Sequence, residues 1–181
     1  MTDSTSDYTV VPLNPLPAES DGSDVDVQKQ YIREHIVGKT NAELVEDADA
    51  MALLNQLGSD LNINAFACNF RRADGTMNTD IVEANYLNRR IFERLSVTDP
   101  TEDPLKVPFY LTSTVFAQAD YGVCATKFKQ RLQLEGNEDL FVLRNVVMSP
   151  FTTERDFINN LGDIFKQVLE EEVAVRFPHL Y

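Results

Sequence analysis

Apolar residues recur along the chain with two different periods, and the change of period divides it. Before residue 60 the spacing is helical and sparse. Val27 to Val37 reads as a short amphipathic helix, with Gly38 placed to stop it. Thr40 and Glu43 have the spacing of a capping box, and Met51, Leu54 and Leu57 give the stretch that follows an apolar stripe. Gly58 is the expected residue just past its end. From Ile63 the pattern changes. Ile63 to Phe70 is short, apolar and nearly two-sided, as a buried strand is. Asp74-Gly75 predicts a turn, and Asp80 with Glu83 offers an N-cap pair. Ile81, Ala84, Leu87, Ile91 and Leu95 then follow at helical spacing. Arg89, Arg90 and Arg94 fall in the C-terminal half of that helix, where the dipole favours cations. Thr98 to Pro108 is a polar loop with three prolines. Phe109 to Val115 alternates as a strand, Tyr121 to Leu132 predicts a helix, and Leu140 to Met148 is the clearest strand, ended by Pro150. Thr153 with Asp156 is placed to cap a last helix, whose buried stripe is Phe157, Leu161, Ile164, Val168 and Val175.

The order after residue 60 is thus β-α-β-α-β-α, which predicts an α+β fold. We expect a small antiparallel or mixed sheet of three to four strands with helices packed on one face, ferredoxin-like in one arrangement. Ahead of it, residues 1–26 read as a flexible arm. Pro12, Pro15 and Pro17 cluster there, Glu19 to Asp26 is acidic, and Tyr8 to Val11 has the pattern of an edge strand. The expected division is an arm at 1–26, a two-helix segment at 27–60 and an α+β domain at 61–178.

Charge narrows the function. Acidic residues outnumber basic ones 29 to 16 over 181 residues, a formal charge of −13. Nucleic acid and anionic membranes are therefore not expected partners, because phosphate binding needs a basic footprint. No apolar run approaches the ~20 residues of a spanning helix, and Met1 to Asp7 is too polar for a signal peptide. Cys68 and Cys124 both lie in apolar-looking segments, which fits a reduced, cytoplasmic protein better than a disulfide scaffold.

Chemical signatures are sparse. The glycines all stand apart, so no phosphate-cradling loop is formed, and G-x-S-x-G does not occur. His35 and His179 have no Cys or His at ligand spacing, and Asp21, Asp24 and Asp26 lack the rest of a calcium loop, so no metal is expected. Glu43, Glu46, Asp47 and Asp49 read as a solvated helix end. Cys68, in an apolar strand, is expected to pack and stay inert. Arg144 is different. It shares a strand face with Leu140, Val142, Val146 and Met148, where a guanidinium must find a partner. Either it makes a salt bridge to one of the many acids, or its planar fork binds a ligand carboxylate.

Three segments together, Ile63–Phe70 with its turn and helix, Phe109–Phe116, and Phe141–Pro150 with its helix, resemble the small C-terminal domain of group II pyridoxal-phosphate-dependent amino-acid decarboxylases. The likeness extends over residues 8–175 to fungal tyrosine/aromatic decarboxylase-like proteins, with Phe141-Val142-Leu143-Arg144 as its most diagnostic stretch. The resemblance implies a decarboxylase C-terminal-domain-like fold. It also implies that Arg144 matches an arginine that reaches the family's active site and in some members engages the substrate carboxylate. The family's cofactor lysine follows a histidine. None of the six lysines here (Lys29, Lys39, Lys106, Lys127, Lys129, Lys166) does so, and no cofactor is expected on this chain.

The expected role is therefore a stand-alone relative of that domain without pyridoxal chemistry. It would bind an amino-acid- or amine-derived intermediate in fungal specialised metabolism and cyclise or isomerise it without a cofactor. Alternatives are an accessory subunit docked to a decarboxylase, and a truncated remnant. Arg144 and Tyr110 are the candidate catalytic residues; Arg144, Asn145, Thr112, Thr114, Asn64 and Asn69 are the candidate ligand contacts. A homo-oligomer or a decarboxylase-type partner is expected to cover the surface that this region buries in the family.

Overall fold

Four segments with strand periodicity pair into one open sheet, antiparallel throughout: β1 (Tyr8–Pro12), β2 (Ile63–Phe70), β3 (Thr112–Phe116) and β4 (Leu140–Val146), in the order β1-β2-β4-β3. The computed structural model describes residues 7–57, 63–97, 101, 103, 107, 110–146 and 156–176. The ends expected at Gly58, Phe109, Met148, Pro150 and Thr153 lie outside these residues. The remaining elements are seven helices among the described residues: α1 (Pro17–Asp21), α2 (Val25–His35), α3 (Asn41–Glu46), α4 (Ala48–Leu54), α5 (Ile81–Arg94), α6 (Gln118–Arg131) and α7 (Phe157–Arg176). The fold is α+β, as the element order predicts.

Alternation along β4 places the core. Leu140 and Val142 pack in one cluster with Val11, Ala67, Phe116 and the α6 residues Ala125 and Phe128. Phe141 and Leu143, on the opposite pleat, pack in a second cluster with Phe70, the α5 residues Leu87 and Ile91, and the α7 residues Val168, Leu169 and Val173. Helices therefore cover both faces of the sheet, α6 on one and α7 on the other, while α5 gives Ile81 and Ala84 to the first cluster and Leu87 and Ile91 to the second. This corrects the expectation of helices on one face. Alternation identifies a two-sided strand but not which helix lies on which side. The ferredoxin-like alternative also falls. That fold joins two of its strands directly, whereas here a helix separates β2 from β3 and β3 from β4.

The helix ends follow their sequence signals. Asp80 accepts from the amides of Val82 and Glu83 to start α5. Its buried stripe is the expected one, with Asn88 added. α6 begins three residues earlier than the apolar spacing suggests. Gly122, at φ 47°, ψ −120°, bends its first turn, a conformation only glycine adopts at little cost.

The arm is the other correction. β1 pairs along its length with β2, from Tyr8↔Phe70 to Pro12↔Phe66. The chain divides instead into a sheet unit, residues 1–13 with 63–181, and a helical unit, residues 14–62. Within the helical unit, the Ala18 amide donates to the Gln28 side chain, and Asp24 caps α2. The second predicted helix is two helices, because Asp47 leaves helical geometry (φ −97°, ψ 95°) and caps α4 through Ala50. The Thr40/Glu43 capping box that starts α3 forms with both its bonds.

Candidate functional site

The site grows from the C-terminal end of β4. There Arg144 lies between Thr112 of β3 and Ala65 of β2, and Asn145 lies opposite Asn64. Alternation puts Thr112, Thr114 and Arg144 on the α6 face, and Asn64, Asn145 and Ser113 on the other. Arg144 and Asn145 thus point to opposite faces, as the strand pattern requires.

Arg144 is half-buried, and its Nε is fully buried without a hydrogen-bond partner. Its one bond among the described residues is long, from Nη2 to the Ser113 carbonyl at 3.4 Å. No carboxylate lies within ion-pair distance of it among the described residues. The ion pairs given for the sheet unit among the described residues lie elsewhere, on α5 and α7. Arg90 and Arg94 converge there on Glu172 at 3.2 and 3.3 Å, and Arg94 reaches Glu171 at 2.6 Å. The salt bridge that is the plain reading of Arg144 has no partner among the described residues. Asn145 Oδ1 is likewise buried and without a partner. Thr112 donates from its hydroxyl to the Arg144 carbonyl at 3.3 Å, and Thr114 stands half-buried two residues on.

The other named residues separate from this group. Tyr110 is exposed and precedes β3. Asn69 is buried, and both its functions are taken. Its Nδ2 donates to the carbonyls of Asn78 and Leu132 at 2.7 Å, and its Oδ1 accepts from the Phe70 amide and Asn78 Nδ2. It knits a turn and has no group left for a ligand. Cys68 is buried and burial pushes its thiol pKa up, so it is inert, as expected. Cys124 is exposed.

Sequence reasoning missed the amides of α5. Beyond Phe66↔Leu143 the β2–β4 ladder stops, and α5 wedges into the opening. Asn88 there accepts from the Cys68 amide and donates to the Cys68 carbonyl, both at 2.8 Å. Asn85 accepts from the Phe141 amide at 2.7 Å and donates to the Asp139 carbonyl at 2.8 Å. The two side chains stand in for ladder partners. One signal was available: Asn88 sits between Leu87 and Ile91 on the apolar stripe, and a polar residue there must be hydrogen-bonded.

Among the described lysines none stands in a built pocket for an imine with pyridoxal phosphate, and Lys106 lies outside the described residues. Lys129 is buried, but its ammonium is held by the carbonyls of Gly136 and Glu138, both at 3.1 Å. Lys39, Lys127 and Lys166 are exposed, and none of the six follows a histidine. Groups of three or more potential metal ligands are absent among the described residues, and no helix among them is long and apolar enough to cross a membrane.

No curated protein matches the chain. A family model described as tyrosine decarboxylase, C-terminal, matches residues 39–173, about three quarters of the chain. The match runs from the helical unit through α5 and β4 into α7, and so includes the Arg144 corner and the asparagine wedge. The chain belongs to the family of tyrosine decarboxylase C-terminal domains.

Proposed function

We propose that the chain binds the carboxylate of an amino-acid-derived ligand through Arg144 and supplies no cofactor chemistry of its own. One observation carries this reading: a guanidinium with a buried, unpartnered Nε and no acid paired to it among the described residues. Buried polar atoms are nearly always satisfied, and those that are not call for a reason such as a missing ligand. A planar fork suits a carboxylate, which accepts two parallel bonds from it. Thr112 and Thr114 share its face and supply hydroxyls beside it. On this reading Asn145 and Asn64 do not touch the same molecule, because they face the other way. Tyr110, which precedes β3 and is exposed, is the candidate for acid–base work in a cofactor-free cyclisation or isomerisation.

Calorimetric titration with L-tyrosine and with tyramine, which lacks the carboxylate, tests the reading. The amino acid is expected to bind and the amine not. Arg144→Lys should keep the melting temperature and weaken L-tyrosine binding roughly 10- to 150-fold, since an ammonium cannot reproduce the fork. Equal binding of acid and amine, or unchanged affinity in a folded Arg144→Lys protein, would overturn it. Docking to a decarboxylase-type partner would then be the reading to pursue.

A further inference from the structure

The sheet has two edges, and they are built differently. Leu13 donates its amide to the Ala65 carbonyl at 2.8 Å, so the main-chain groups of Ala65 point to the β1 side. Arg144, opposite Ala65 on β4, therefore directs its own main-chain groups toward β3, where it meets Thr112. Alternation then turns Thr112, Thr114 and Phe116 inward and Leu111, Ser113 and Val115 outward. The outward groups of Leu111 are used. Its amide donates to the Leu95 carbonyl, and its carbonyl accepts from the Ser96 hydroxyl, both at 2.7 Å. Ser113 and Val115 have no main-chain partner on that side among the described residues. The Ser113 carbonyl takes only the long contact from Arg144. On the opposite edge, alternation turns Tyr8, Val10 and Pro12 outward. Pro12 has no amide to give, and its carbonyl is occupied by Arg131 at 2.7 Å. The β1 edge is blocked at Pro12, whereas the β3 edge leaves the consecutive outward residues Ser113 and Val115 open among the described residues.

We infer that a second copy of this chain pairs with the open edge, β3 against β3, antiparallel about a twofold axis through Thr114. In that register Ser113 of one copy meets Val115 of the other. Both are outward residues, so each pair exchanges two main-chain bonds and the register closes on itself. Thr114 meets its own counterpart, a favourable cross-strand pair. The strand Thr-Ser-Thr-Val-Phe carries no charge, although the chain carries −13, so self-pairing sets no charge against a like one. Val115 and Tyr121 are 47% and 44% exposed, and Tyr121 stacks on Phe116 at the end of the strand, so apolar surface borders the open groups. The pairing joins the two four-stranded sheets edge to edge and keeps corresponding faces together. It also sets the partner's Phe116 opposite Thr112, on the face that holds Arg144. That last consequence matters to a ligand only if Arg144 binds one, as proposed above; the pairing itself does not need it.

Sedimentation equilibrium of the purified chain between ~1 and ~100 µM tests the pairing by mass, independently of any titration with ligand. A dimer of the 20.5 kDa chain is expected. Val115→Lys places two lysines diagonally across the twofold axis and should raise the dimer dissociation constant at least ~10-fold. Ser113→Pro removes an outward amide that the subunit's own ladder does not use, and should do the same. Val82→Lys makes the same charge change on an exposed site of α5 and should leave the dimer intact. Melting curves show which variants are folded. A monomer throughout the range, or a dimer that both folded edge variants retain, would overturn the inference.

Discussion

The two ends of the β2–β4 pairing treat buried polar groups in opposite ways. Where the strands part, two asparagines of α5 enter the gap and meet the main-chain groups of Cys68, Asp139 and Phe141 one for one. Asn69 and Asn78 close the turn beside them in the same manner. Where the strands run together at Arg144, the side chains are richer in donors, yet Arg144 Nε and Asn145 Oδ1 are buried without a partner among the described residues; near the other end Gln118 Oε1, beside Asp139, shares that state, but singly. The physical cost of an unmet polar group is the same at both ends. A fully satisfied network is explained by the fold it holds. Two unsatisfied groups side by side call for a reason outside the satisfied network, such as a ligand or an ordered water, and that difference supports the candidate site beside residue type.

The largest effect should come from breaking the satisfied end. Asn88→Ala leaves the amide and the carbonyl of Cys68 unpaired in the core, beside a small cavity. We expect a loss of about 2–4 kcal/mol of stability, read by urea unfolding. Asn88→Asp keeps an acceptor for the Cys68 amide but sets a carboxylate against a carbonyl, and should also be strongly destabilising. A stability within ~0.5 kcal/mol of the parent for Asn88→Ala would show that water replaces the amide, and the contrast between the ends would lose its basis.

This contrast also marks what the sequence makes legible. The apolar stripe of α5, the caps at Asp80 and Thr40, the turn at Gly75 and the α+β class all follow from local periodicity and local hydrogen bonding. The position of Arg144 on an apolar strand was visible for the same reason. What was not visible depends on distant partners. The wedge of Asn85 and Asn88 joins residues more than fifty positions apart in one case and twenty in the other. Asn69 read as a ligand contact because its partners Asn78 and Leu132 come from a turn and a helix end that periodicity does not bring together. Tyr8 to Val11 showed a strand pattern, but the prolines and acidic residues after it suggested an arm, and only pairing with β2 makes it part of the sheet.

A smaller effect is expected on the outer side of the satisfied end, where charges clip α7 to α5. Glu172 is nearly buried and receives Arg90 and Arg94, both partly exposed. Glu172→Gln keeps the shape and one acceptor but removes the charge, and should cost about 1 kcal/mol, since exposed arginines rehydrate. The neighbouring Glu171 has its carboxyl pKa lowered, first by the Gln167 amide and then by Arg94. A carboxylate lowered in the folded state contributes its stability above the ordinary carboxylate range. That contribution is lost as pH falls through the depressed value. The melting temperature should therefore decline on acidification below about pH 4. Glu171→Gln should flatten part of that decline. An identical acid profile in the variant would remove Glu171 from the clip.

The smallest expected effect tests the unsatisfied end. Arg144→Met replaces the guanidinium with an apolar chain of similar reach. If Arg144 were held by a structural partner, its loss would cost stability in proportion to the bonds broken, as at Asn88. The geometry offers one contact of 3.4 Å and a buried Nε that bonds nothing. Removing an unmet donor relieves a desolvation cost, and this offsets the little that is lost. Methionine is unbranched and adapts its shape to irregular gaps. Stability is therefore expected to stay within ~0.5 kcal/mol of the parent, or to rise, since an apolar replacement of an uncompensated buried charge is often stabilising. Urea unfolding of Arg144→Met beside Asn88→Ala gives the comparison directly. A loss above ~2 kcal/mol for Arg144→Met would place a structural partner at the guanidinium and make both ends of the ladder alike. An unchanged stability, with L-tyrosine binding lost, would leave Arg144 a residue kept for what it binds rather than for what it holds together.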